Sequence, residues 1–128
     1  MKLLLDTHAL IWWAGNDPRL RSGARAAISD ARNDVCVSAA SAWECAVKVQ
    51  NGKLSEAAPL VAAFRSTLER AGFAMLDITL EHALAAGALP RHHSDPWDRM
   101  LIAQALGEGM ALVSKDKEMD RYGVKRIW

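Results

Sequence analysis

Four acidic residues stand at equivalent places along the chain: Asp6, Glu44, Asp98 and Asp116. Each lies just past an apolar run or in the opening turns of the helix that follows one. The first closes the run Lys2-Leu3-Leu4-Leu5, where a short buried strand hands over to helical periodicity. A bare carboxylate is expensive to bury without a partner, and four that converged in a partly desolvated cleft would repel strongly. A shared cation stabilises such a cluster, and all-oxygen ligation suits Mg²⁺ or Mn²⁺ rather than zinc or copper. Spacing alone does not bring the four side chains together. A first-turn aspartate such as Asp98 also has a plain role, since helix N-termini favour negative charge by up to ~1 kcal/mol. Asp95, ahead of Pro96, has a sufficient structural role as an N-cap with proline at the first helical position.

The elements that must position these acids follow in order. The run Lys2 to Leu5 reads as a strand buried on both faces, and Ala9 to Ala14 as a short helix stopped by Gly15-Asn16. Asp17-Pro18 reads as the start of a second helix reaching Ala31, whose arginines form a solvated face. Val35 to Ser38 is a second buried strand. Ala39 to Gln50 is a helix carrying Glu44 about a turn and a half from its start, on the same side of the sheet as Asp6. A helix from Pro59 to Ala71, a strand over Phe73 to Asp77 and a helix capped by Thr79 come next. An irregular stretch, Leu89 to Arg99, leads into a largely apolar helix that should be buried. Met110 to Ser114 forms a fourth strand, and a short helix near Glu118 and a last strand, Val124 to Trp128, end the chain. Strands alternating with helices define an α/β fold with a parallel sheet covered on both faces. Right-handed crossovers then align the four acids along one sheet edge, where open α/β sheets bind ligands.

Composition bounds the reading. A chain of 128 residues is one domain, 1–128, long enough to bury roughly two thirds of its unfolded surface. An apolar fraction of 51% with 24% charged residues excludes a disordered chain. Sixteen Lys and Arg against fifteen Asp and Glu leave a net charge of +1, which neither announces nor excludes a nucleic-acid partner, because distribution matters more than the sum. No run approaches the ~18 apolar residues of a membrane span, and the N-terminus has no signal-peptide pattern. The expectation is a cytoplasmic protein with no membrane association. Cys36 and Cys45 fit no metal or redox spacing and read as small buried hydrophobes.

The motifs together resemble the PIN domains. They are Asp6-Thr7 after an apolar strand, Glu44 on a helix, His93-Ser94-Asp95-Pro96-Trp97-Asp98-Arg99 leading a buried helix, and Leu112-Val113-Ser114-Lys115-Asp116. The likeness spans essentially the whole chain and is greatest to the ribonuclease toxins of the VapC family, with Trp97 where Phe is commoner. It implies a single-domain α/β/α sandwich with a mainly parallel central sheet. It also implies metal-dependent cleavage of RNA phosphodiesters, with Asp6, Glu44, Asp98 and Asp116 as the acidic catalytic and metal-ligating positions. Thr7 and Ser114 match hydroxyl positions near the metal. A homodimer and a cognate VapB-type antitoxin are implied partners.

On this reading a bound ion activates water and polarises a phosphate oxygen. Asp95, Arg99 and Lys115 are supporting candidates. Arg99 either grips phosphate in a bidentate manner or pairs with Asp95 in the same turn. His92 and His93 stand between substrate contact and plain solvation, His8 reads as a packed residue, and His82 has no chemistry around it. Trp12 and Trp13 are adjacent on one helix and cannot both be buried in one direction. One of them is therefore expected to line the homodimer or antitoxin groove. Two rivals remain. A phosphatase with an Asp6 nucleophile would want an acid two residues on, where His8 stands. A non-catalytic metal-, RNA- or protein-binding scaffold leaves the four acids without turnover.

Overall fold

A strand of three leucines buried on both faces occupies the middle of the sheet. In the computed structural model, which describes residues 1–128, Lys2–Leu5 (β1) points Leu3 and Leu5 into one apolar cluster and Leu4 into another. The same alternation governs its neighbours. Asp34–Ser38 (β2) sends Val35 and Val37 to the first side and Cys36 to the second. Ala111–Val113 (β4) sends Ala111 and Val113 to the first side and Leu112 to the second. With Ala74–Leu76 (β3) and Arg126–Ile127 (β5), the strands form one sheet in the order β3-β2-β1-β4-β5, and every pairing is parallel. The sequence-predicted sandwich is thus realised with no antiparallel strand.

The larger cluster packs under Thr7–Ala14 (α1), Ser22–Ser29 (α2), Ala58–Ala62 (α4) and Phe64–Ala71 (α5). The smaller one packs under Pro96–Glu108 (α7), with Leu101, Ile102 and Ala105 fully buried. Ala39–Gln50 (α3) contributes Cys45 to the first cluster and Ala40 to the second. Leu80–Ala88 (α6) lies against α7. Short 3₁₀ turns at Ser55–Ala57 and Lys117–Tyr122 complete the chain. No helix is long and apolar enough to cross a membrane.

Several boundaries differ from the sequence expectation. Asp17-Pro18 opens a turn, not a helix, because the Asp17 carboxylate accepts the Arg19 N–H at 2.8 Å and clamps the Arg19 guanidinium as well. Helix α2 begins only at Ser22. The helix expected from Pro59 to Ala71 is broken at Ala63 (φ −135°), and Leu60, Phe64 and Leu68 all reach the larger cluster across the break. Cys45 is buried as expected, its thiol pushed up to about 12 by that burial, whereas Cys36 is only partly covered.

His82, unremarkable in sequence, fastens α6 to α7. Its backbone N–H donates to the Thr79 hydroxyl at 3.1 Å, while its Nδ1 accepts the Thr79 N–H at 3.1 Å. That fixes the ring proton on Nε2, which donates to Glu108 at 2.8 Å. His82→Ala removes a buried ring and strands these partners, and is expected to destabilise the fold by about 2–3 kcal/mol. Thermal or urea unfolding checks this; an unchanged midpoint would show that the fastener is idle.

Candidate metal centre

The chain moves outward from β1 through β2 to β3, then returns to the other side of β1 for β4 and β5. The reversal leaves a crevice at the carboxyl ends of β1 and β4, the place where open α/β sheets bind ligands. Local capping places each acid there. Asp6 follows β1, its N–H still paired with the Val113 carbonyl at 3.0 Å, and its carboxylate caps α1 by accepting the Ala9 N–H at 2.8 Å. Asp98 lies in the first turn of α7, where its N–H donates to the capping carboxylate of Asp95 at 2.9 Å. Asp116 donates its N–H to the buried Ser114 hydroxyl at 3.0 Å and accepts the Glu118 N–H at 2.9 Å. Asp6, Asp98 and Asp116 line one cavity of about 480 Å³, whose wall also includes His8, Lys115 and Lys117.

His93 completes the cluster. Its Nε2 lies 2.8 Å from Asp116 and 3.2 Å from Asp98, and the ligating atoms of these three residues all fall within 4.8 Å of one another. Its Nδ1 accepts the Asp95 N–H at 3.2 Å, which leaves the Nε2 proton to donate to Asp116, with the Asp98 carboxylate alongside. The loop is pinned from outside: Tyr122 Oη accepts the His93 N–H at 2.7 Å and donates to the Pro90 carbonyl at 2.7 Å. Sequence left His93 open between substrate contact and solvation. The available signal was its position two residues ahead of the N-cap Asp95, where it can fold back onto the first turn.

Glu44 is engaged differently. It is buried on α3. One oxygen accepts the Thr7 hydroxyl at 2.6 Å and the other is paired with the ammonium of Lys48, one turn along the helix. Ser41 stands 3.2 Å from the Thr7 hydroxyl. The structure thus brings three of the four acids to one cavity and holds the fourth beside it on protein partners.

Arg99 departs from both sequence readings: it neither pairs with Asp95 nor faces the cavity. Its guanidinium donates to the carbonyls of Ala86 and Leu89 at 2.9 Å, Pro90 at 3.0 Å and His93 at 3.2 Å. Helix α6 ends here with carbonyls that have no intrahelical partner, and the fork of donors on arginine matches them. Lys115 is exposed on the cavity wall. Of the two adjacent tryptophans, Trp12 is buried and Trp13 only partly so. Trp12 is buried against Trp128 (centroids 5.8 Å apart) and Trp13 packs on Phe73 (4.7 Å), so each finds its own apolar neighbour. Trp43, at 62% exposed, is the most exposed of the tryptophans.

The electrostatics follow from crowding. Burial raises the Asp6 carboxyl above its ordinary range, against the lowering influence of the Ser114 hydroxyl and the Ala9 N–H. Burial, reinforced by Asp95, pushes Asp98 up to about 7, with Asp6 and Glu44 adding and His93 opposing. Burial works against the Lys48 ammonium, yet its bond to Glu44 and the nearby charge of Asp95 and Asp98 raise it overall. Three aspartates with excess negative charge and open oxygen donors fit a hard divalent cation. An imidazole alongside is tolerated by Mn²⁺ better than by Mg²⁺.

Comparison with known proteins agrees with this geometry. The PIN domain family matches residues 3–125, and the chain belongs to that family. It is 32% identical over 118 residues to Ribonuclease VapC22 of Mycobacterium tuberculosis, covering 91% of this chain and 88% of the relative; that likeness groups it with the VapC-type members. Among solved structures, VapBC2 from Rickettsia felis, bound to a DNA fragment from its promoter, superposes with a TM-score of 0.68 at 16% identity, covering 98% of this chain and 97% of that one. VapC20 of M. tuberculosis, a toxin that cleaves the sarcin-ricin loop, gives 0.68 at 15% identity over 95% of both chains. FitAcB from Neisseria gonorrhoeae gives 0.66 at 18%, over 97% and 95%. At these identities the structural matches speak to the fold.

The raised Asp98 carboxyl has a consequence for stability. In the unfolded chain it releases its proton near 3.8, and in the fold only near 7. The metal-free fold is therefore progressively destabilised as pH rises from about 4 to above 7. Asp98→Asn removes that penalty. In EDTA the variant is expected to be more stable than wild type by about 4 kcal/mol at pH 8 and close to it at pH 4. Thermal unfolding at both pH values measures the difference; a variant less stable at pH 8 would overturn the reading.

Proposed function

We propose that this protein is an Mg²⁺- or Mn²⁺-dependent endoribonuclease, the toxin of a toxin–antitoxin pair acting in the cytoplasm. The observation that carries the reading is the convergence of Asp6, Asp98 and Asp116 on one cavity with lysines on its wall. The 32% identity to Ribonuclease VapC22 supports it independently. Asp6, Asp98 and Asp116 would hold the ion, with Glu44 beside them. When bound, such an ion lowers the pKa of water and polarises a phosphoryl oxygen.

The chain's own residues do the rest. Ser114 and the Ala9 N–H keep the Asp6 carboxylate aimed and oppose the upward push of its burial. His93 Nε2 stands between Asp116 at 2.8 Å and Asp98 at 3.2 Å. An aspartate oxygen not engaged by a cap is free to accept a proton from the attacking water. Lys115 and Lys117, exposed at the cavity wall, attract the sugar–phosphate backbone of RNA. The partners in this reading are an RNA substrate, a VapB-type antitoxin and a second copy of the chain in a homodimer.

The test is cleavage of a panel of structured RNAs with Mn²⁺, Mg²⁺ or EDTA, comparing wild type with Asp98→Asn. Expected is cleavage at discrete positions that requires metal. In the variant it should fall beyond the roughly 10–100-fold typical of substitutions outside the ligand set. Cleavage that survives both EDTA and the substitution would overturn the proposal.

A further inference from the structure

We propose that Lys48 takes the place of a second metal ion: its ammonium neutralises Glu44, so the centre holds a single divalent ion and Glu44 is a positioning residue, not a ligand. This deepens the metal-centre reading above and rests on it.

The argument starts from Glu44. Its side chain is only 5% exposed, and both of its oxygens already have protein partners, the Thr7 hydroxyl and the Lys48 ammonium. A carboxylate paired with an ammonium offers a metal little net charge, and an ion would have to compete with both partners for it. Glu44 also contributes nothing to the cavity that Asp6, Asp98 and Asp116 line. Lys48 in turn is built into the fold and is no loose surface lysine. Its side chain is 24% exposed, and its ammonium lies 5.2 Å from the centre of the Trp97 ring. A ring face attracts a cation more strongly where water is partly excluded. Trp97 immediately precedes Asp98 on α7 and is braced edge-on by Trp43, with centroids 5.5 Å apart. The ammonium is thus held between the acid on α3 and the aromatic ring on α7, at the seam where the two helices meet.

Position explains the consequence. A second ion ligated by Glu44 would have to displace Lys48 from the pair or stand beside its positive charge, and either is disfavoured at short range. Conversely, removing the lysine charge leaves a buried carboxylate uncompensated, and that carboxylate then recruits a cation. Thr7, whose hydroxyl binds the other oxygen, keeps Glu44 aimed at Lys48 across α1 and α3. In this arrangement Glu44 acts on the reaction through Lys48, by fixing a permanent positive charge beside the first turn of α7.

Mn²⁺ titration tests this without RNA, using free-ion electron paramagnetic resonance for stoichiometry and calorimetry for affinity. The proteins are wild type, K48M, E44Q and the E44Q/K48M double variant. Expected are one ion in wild type, two in K48M, one in E44Q and one again in the double variant, because the second ion needs a free Glu44. Two ions in wild type that fall to one in E44Q would overturn the proposal, as would a folded K48M that still binds one. Should K48M not fold, E44Q decides. Wild-type stoichiometry with affinity within about threefold supports the proposal, and any larger loss makes Glu44 a ligand and overturns it. A wild type that binds no Mn²⁺ removes the metal-centre reading along with this one. A one-ion wild type with a one-ion K48M overturns this one alone.

Discussion

Repulsion among carboxylates at the carboxyl ends of β1 and β4 is the constraint on which the rest of the site depends. Asp6, Asp98 and Asp116 are drawn to one cavity by three separate capping interactions, none of which needs the others. Each cap is locally favourable by about 1 kcal/mol. Together they assemble a concentration of negative charge that is globally unfavourable in a partly buried place. The protein answers with hydrogen-bond donors. The Ser114 hydroxyl and the Ala9 N–H moderate Asp6, the imidazole of His93 bridges Asp98 and Asp116, and Lys48 takes up Glu44. The residual imbalance is visible at Asp98, pushed up to about 7.

The sheet explains why these caps coincide. With β1 central and buried on both faces, the chain leaves it in one direction and returns on the other side. The residues following β1 and β4 are therefore neighbours although more than a hundred positions apart in sequence. Asp6 still pairs with Val113 through its backbone, so the acid is an extension of the ladder and inherits its rigidity. Asp98 reaches the same place from α7, whose apolar stripe of Leu101, Ile102 and Ala105 is fully buried under the sheet. Packing on one side of the sheet thereby sets the depth at which the first turn of that helix stops.

Much of this was legible in the chain itself, for physical reasons that also mark the limit. Short apolar runs ending in a charged residue identify the central strands, because a strand buried on both faces has no polar face to alternate. Asp95-Pro96 marked the start of α7 correctly because N-cap and first-position chemistry is local. The same reasoning failed at Asp17-Pro18, where Arg19 offers the aspartate a nearer and stronger partner than a helix N-terminus does. Side-chain partners across long separations were not legible. Nothing in the spacing shows that Glu44 meets Lys48 and Thr7 together, that Arg99 serves the orphan carbonyls of α6, or that His93 folds back between two acids. Trp12 and Trp13 turn to different neighbours, as adjacency on a helix requires, Trp12 buried against Trp128 and Trp13 partly covered by Phe73.

The stretch between α6 and α7 shows how the opposing demands are reconciled. A loop carrying an imidazole into a cluster of acids must be held accurately, since a bridging donor displaced by an ångström bridges nothing. Yet the loop has little apolar surface with which to hold itself. Its order is supplied from outside, by the guanidinium of Arg99 on five backbone carbonyls and by the hydroxyl of Tyr122 between His93 and Pro90. Behind it, His82 ties the start of α6 to the end of α7. None of these three side chains lines the cavity, yet each fixes a piece of backbone on which the position of His93 or Asp98 depends. The polar residues of this region thus divide by role. Those that crowd the cavity repel one another and destabilise the fold, and those behind it hold the crowded geometry in place against that repulsion.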